Sequence, residues 1–182
     1  MSFRWWWISH WSSTTPMVSK PRRSRSFSIG RMSEARFVKA AERLGLDVKK
    51  SSPREDIHDH VDYWLAVEET GSKWGVDVKG NNLPNEIWCE FKNVQGKPGW
   101  LYGGASIIAF DMPEEGGFCI VDRKELSEWC ESVVEDVKVN NKADAYKKKY
   151  TRKDRLDEIT KVNLKDIKQL DSYRVWEYER DY

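Results

Sequence analysis

The 182-residue chain contains no run close to the roughly 18 continuous apolar residues that a membrane-spanning helix needs, which excludes an integral helical membrane protein. Cysteine is scarce. Cys89, Cys119 and Cys130 are odd in number and share no short spacing, which argues against a disulfide framework or a zinc knuckle and fits a reducing compartment. Histidine is scarcer in the patterned part of the chain, where only His58 and His60 occur. At that spacing the two could share one strand face, but zinc wants three or four ligands and no cysteine or further histidine supports them. No Gly-rich phosphate loop, Gly-x-Ser-x-Gly elbow or dinucleotide fingerprint is present.

Net charge is nearly absent as well, at +1, but its distribution is uneven. Residues 1–31 hold six basic residues and no acidic one, leaving 25 basic against 30 acidic residues, net −5, in the rest. A body that acidic does not bind nucleic acid by bulk attraction; it would need local basic patches and cations to offset its carboxylates. The leader MSFRWWWISHWSSTTPMVSKPRRSRSFSIGR is rich in Ser and Arg, with a Trp cluster and no period. Its WWWI segment is too short for a secretory signal, so it reads as a flexible tail or an upstream extension, and it also resembles an organelle transit peptide. Organisation is therefore a leader at 1–31 followed by one domain at 32–182, a length that suits a single core.

From Met32 the pattern becomes regular. Ser33 reads as an N-cap, with Phe37, Ala40, Ala41 and Leu44 at helical spacing until Gly45. HVDYWLAVEE alternates, with Val61, Tyr63, Leu65 and Val67 on one face and His60, Asp62 and Trp64 on the other. KWGVDVKG, EIWCEFKN, ASIIAF and FCIVD read as further strands, and Arg123 to Val137 as an amphipathic helix. A basic loop then spans Tyr146 to Arg155, within a basic stretch at 142–155. A strand around Ile159–Val162, a short helix from Leu164 and a closing YRVWEYE strand end the chain. The expected class is α/β, a mixed central β-sheet flanked by helices rather than a doubly wound fold.

The chemistry gathers on two strands. Asp77 and Lys79, two apart, point to one face, and Val76 and Val78 to the other. A hairpin turning near residue 70 would bring Asp62 beside them. Glu90, in register with Glu86, Trp88 and Lys92, is a candidate third acid. Paired acids suit hard divalent ions, which activate water and stabilise charge on a phosphate. A lysine beside them can hold the attacking water or the developing charge.

Asp62 followed fifteen residues later by Asp77-Val78-Lys79 across a hairpin resembles the paired motif of the PD-(D/E)XK nuclease superfamily. The preceding helix with Glu34 is similar to the acidic first helix of Holliday-junction-resolvase-like members. The stretch from His60 to Phe110 is similar to phage-encoded endonucleases of that superfamily. The resemblance covers roughly residues 33 to 180 and implies a restriction-endonuclease-like core. It implies that Asp62, Asp77 and the Val78 carbonyl ligate Mg2+, with Mn2+ as a substitute, that Lys79 orients the water, and that Glu34 completes the site. The partner it implies is DNA, duplex or branched, cut in the cytoplasm of a phage host or other bacterial cell, with a homodimer expected for a symmetric junction. The chain departs from the family in three places: His60-Val61 replaces the proline before the first aspartate, the third motif is Asp-x-Lys, and a strand with GKPGWLYGG stands where a helix usually follows.

For the nucleic-acid contact, Lys97, Trp100 and Tyr102 lie in or beside the Gly-rich connection, where freed backbone amides approach phosphate and aromatics stack on unpaired bases; the segment reads equally as a tight loop whose Trp100 covers the core. Lys148, Arg152 and Arg155 belong to the densest basic run and are expected to track the backbone. A non-catalytic nucleic-acid- or protein-binding module on the same scaffold is the rival expectation.

Overall fold

The computed structural model describes residues 25–67, 70–81 and 83–178, so the reading of the leader as a flexible tail falls almost wholly outside the described residues. Helix α1 (Arg25–Arg43) is followed by β1 (Asp47–Lys50), β2 (Tyr63–Ala66), β3 (Lys73–Gly80) and β4 (Glu86–Lys92). Next come β5 (Ile107–Met112), β6 (Gly117–Asp122), α2 (Arg123–Val133), β7 (Glu135–Val139) and β8 (Lys148–Tyr150). The chain then forms β9 (Glu158–Asn163), α3 (Leu164–Ile167) and β10 (Arg174–Glu177). The class is mixed α/β, but with two mixed sheets, of order β1-β2-β3-β5-β6-β10 and β4-β9-β8-β7. No helix among the described residues is long and apolar enough to cross a membrane.

The first sheet opens as an antiparallel meander, β1 on β2 on β3, and continues with β5 parallel to β3. Its two faces bury separate cores. On one, Phe37, Ala40 and Ala41 of α1 lie over Val76 and Val78 of β3, Leu65 of β2, and Ala109, Phe118 and Ile120. These helix positions repeat at three and four residues, the spacing that makes one stripe of α1 apolar. Gly45, at φ 76°, ends that helix in the left-handed conformation that glycine adopts without steric cost.

The other face is not covered by helices alone, contrary to the expectation. Ile108, Phe110, Met112, Cys119 and Val121 of the first sheet pack against Ile87, Cys89, Phe91 and Val162 of the second. Leu126 and Cys130 of α2 and Leu164 and Ile167 of α3 close that core. The crossover from β3 to its parallel neighbour β5 therefore runs through a strand of the other sheet and a 3₁₀ turn at Trp100–Tyr102.

Three local expectations are corrected. Ser33 is not an N-cap but a buried mid-helix residue, because α1 starts at Arg25. Packing extends it: the Gly80 Cα lies so near Ile29 and Ser33 that a Cβ there would meet them at 3.0 and 3.1 Å. The second helix stops at Val133, and β7 replaces its last turn by pairing with β8, so the expected basic loop is partly a strand.

Ser33 and Arg36 of α1 and the Tyr178 hydroxyl all donate to Asp111, which is 1% exposed. One buried carboxylate thus ties α1, β5 and the segment after β10 together. Removing one member of such a buried charged set strands the others. Asp111→Ala is expected to cost about 3 kcal/mol or more, read as a lower urea midpoint with an unchanged slope.

Candidate functional site

The ladder between β2 and β3 ends where the interesting side chains begin. Tyr63 pairs with Val76, and the Asp62 amide donates to the Val76 carbonyl at 2.8 Å. Before Asp62 the chain leaves the sheet through a π-helical turn at Glu55–Asp59 and His60, which has a positive φ of 52°. This turn docks on the Gly-rich connection: the Gly104 amide donates to the Asp59 carbonyl at 2.6 Å. A Cβ on Gly103 would meet the His60 Cβ at 2.9 Å, so glycine is required there.

With β2 gone, β3 past Val76 has an open edge. The Val78 amide donates to Asp62 Oδ2 at 2.7 Å. A strand residue presents its N–H and C=O to the same neighbour, so the Val78 carbonyl faces the same opening. Asp77 and Lys79 share the face of Ile108 and Phe110, their β5 partners, and Asp62 stands beside them. The hairpin expectation for Asp62, Asp77 and Lys79 therefore holds as geometry.

Electrostatically the cluster is tense. Asp77 is 3% exposed, and burial raises its pKa against the pull of Lys79 and a hydrogen bond with Asp62. Burial and the neighbouring Asp77 charge push Asp62 up to about 6, despite the Val78 amide, Lys79 and Lys50. The Lys79 ammonium lies 2.7 Å from Asp77 Oδ2, yet that oxygen is buried without a hydrogen bond of normal angle. An ion pair without a directional donor leaves lone pairs of the carboxylate unused. The same ammonium stands 5.3 Å from the centre of the Trp100 ring.

Glu34 reaches this cluster only at second hand. Its Oε2 accepts from Lys50 at 2.7 Å and from the Tyr63 hydroxyl at 3.2 Å, while the Lys50 ammonium is 3.9 Å from Asp62 Oδ1. Lys50 is a residue the sequence reading missed, because β1 is four residues long and mostly exposed, with no alternation to mark it. Glu90 does not join the pair either. It belongs to β4 in the second sheet, accepts the Trp100 amide, and feels Lys79 and Arg152 at longer range, with burial raising its pKa. Among the described residues no group of three or more His, Cys, Asp and Glu side chains is placed to hold a metal ion. The expected Glu90 ligand is thus corrected by the departure of β4 from the first sheet. The remaining donors still suit magnesium, which keeps several waters and is commonly held by one or two carboxylates.

The expected nucleic-acid contacts divide. Lys97 and Tyr102 border an open groove of about 550 Å³ with His58, His60 and Pro98. Tyr102 is 43% exposed and donates to Glu131, and burial raises its hydroxyl pKa to about 12. Trp100 is 6% exposed, edge-on to Phe110 and beneath Lys79, so its ring serves the core and is not free to stack on a base. Lys148 lies in β8, half-buried, and Arg155 is exposed. Arg152 is held by the fully buried Asp157, so its charge is largely spoken for.

Comparison of the chain with protein-family models, with curated proteins and with solved structures found no match.

Proposed function

We propose that this protein is a magnesium-dependent nuclease of the PD-(D/E)XK type that hydrolyses phosphodiester bonds in DNA. The observation that carries the reading is the Asp62–Asp77 pair beside Lys79, with one buried carboxylate oxygen lacking a directional donor. The order of elements supports it: a helix, an antiparallel meander, and then a strand parallel to the one bearing Asp77 and Lys79. Two acids forced together and out of water favour a divalent cation over two protons.

Asp62, Asp77 and the Val78 carbonyl are the groups that would hold magnesium, which supplies a more acidic water and neutralises charge on the phosphate. Lys79, freed from Asp77 as that carboxylate turns to the cation, would hold the attacking water or the charge growing on the phosphoryl oxygens. Lys50 would keep Asp62 ionised and oriented, with Glu34 and Tyr63 fixing Lys50 in turn. The 2.7 Å bond from the Val78 amide fixes the carboxylate plane of Asp62.

That no three such side chains are placed to hold a metal ion together among the described residues favours a second reading, a binding module on the same scaffold. A cleavage assay decides between them. Purified full-length protein with magnesium is expected to cut DNA and to be silent in chelator. Metal-independent cutting, or binding with no cutting in magnesium or manganese, rejects the nuclease.

A further inference from the structure

The outer face of the second sheet carries a feature that the Asp62–Asp77 cluster does not use. Trp88 on β4 and Tyr150 on β8 stand on either side of β9, with ring centres 6.1 Å apart. They line a cleft of about 420 Å³ whose other walls include Glu90, Trp100, Lys142 and Arg152. The ammonium groups of Lys142 and Lys161 lie 5.7 and 5.9 Å from the centre of the Trp88 ring. Lys161 is partly neutralised by Glu86 at 3.3 Å, while Lys142 is exposed on a short 3₁₀ turn. Two aromatic rings and two ammonium groups thus meet in one cleft, with Lys142 contributing the exposed cation.

We infer that this cleft binds an unpaired stretch of DNA, and that the substrate therefore carries single strand next to the scissile bond. Base stacking on aromatic rings requires bases whose faces are free, and lysines beside the rings meet the phosphates between them. A duplex presents neither free base faces nor a shape that enters a cleft of this size; reading its major groove takes a protruding helix or ribbon. Trp100 links the cleft to the acidic pair: it forms part of the cleft wall, and its ring centre lies 5.3 Å from the Lys79 ammonium. The substrate statement rests on the nuclease reading; the binding statement does not.

The test measures anisotropy of a labelled oligo-dT and of a blunt duplex with the full-length protein in chelator, across a salt series. Wild type is expected to prefer the oligo-dT. Trp88→Ala should weaken that binding by about five- to a hundredfold, the range for losing one stacked base. Tyr150→Ala should do likewise and Tyr150→Phe should not. Lys142→Glu, at an exposed position where misfolding is not at issue, should weaken binding and flatten the salt slope by about one counterion or more. Preference for the duplex, or unchanged oligo-dT affinity in folded Trp88→Ala and Lys142→Glu, overturns the inference. Oligo-dT bound, with no single-stranded, duplex or mixed single- and double-stranded DNA cut in magnesium or manganese, removes the nuclease reading and leaves the cleft. Duplex cut with no oligo-dT bound removes the cleft and leaves the nuclease.

Discussion

Asp77→Asn is expected to lower the cleavage rate by about 10³-fold or more, the scale of losing one central electrostatic group from an active site. DNA affinity in chelator should stay the same or tighten. The substitution keeps the shape of a side chain that is 3% exposed, so the core around Ile108 is not opened. It removes a negative charge from the place where phosphate must sit, which relieves repulsion in the absence of metal. It also frees the Lys79 ammonium, now 2.7 Å from Asp77 Oδ2, for a phosphate oxygen. Lys79→Ala should instead slow the chemical step more than it weakens binding. The double variant should be little slower than Asp77→Asn alone, because groups that act as a unit are not additive. Rates come from single-turnover cleavage and affinities from anisotropy. An Asp77→Asn protein that cuts at the wild-type rate would sink the proposed function, whatever Lys79→Ala does.

How much of this was legible in the residues depends on period and range. β3 and its two-residue Asp77/Lys79 spacing can be read directly, since alternation specifies a face and the strand edges coincide with Lys73 and Gly80. The adjacency of Asp62 follows from hairpin register, which a short turn fixes. What local pattern cannot say is which sheet a strand joins. Glu86–Lys92 alternates as a strand of either sheet would, and only its long-range pairing with β9 decides that Glu90 belongs to the second sheet and not to the sheet of Asp77. The same limit hid the cleft: Trp88 and Tyr150 are 62 residues apart and meet only because β9 lies between their strands. For Trp100 the residues leave a core cover and a stacking surface equally open, and long-range packing decides: a Cβ on Gly99 would overlap the Glu90 carbonyl, so the connection is pressed onto β4 and its indole into the core.

Asp62→Asn is expected to make the metal-free protein more stable above pH 6 while abolishing its response to magnesium. An Asp62 pKa of about 6 in the fold, against 3.8 ordinarily, means that the native state holds a proton the unfolded chain has released between those values. The unfolded state then binds fewer protons, so stability falls as pH rises from about 4 to about 6 and stays low beyond. A shift of that size corresponds to roughly 3 kcal/mol against the ionised form. Asparagine carries no charge, and its amide oxygen can still accept from Val78. In chelator at pH 8 the variant should therefore melt roughly 5–10 °C above wild type, and the two should converge near pH 4. Magnesium should raise the wild-type midpoint at pH 8, since a ligand held only by the native state stabilises it by mass action. That increment should shrink towards pH 5, where protons compete for Asp62, and the variant should show almost none. Equal magnesium-dependent shifts in both proteins would place the cation elsewhere, and a variant less stable than wild type at pH 8 would make Asp62 a structural acceptor. The combination expected, a more stable fold with no cleavage, is what two carboxylates held together for a cation should produce.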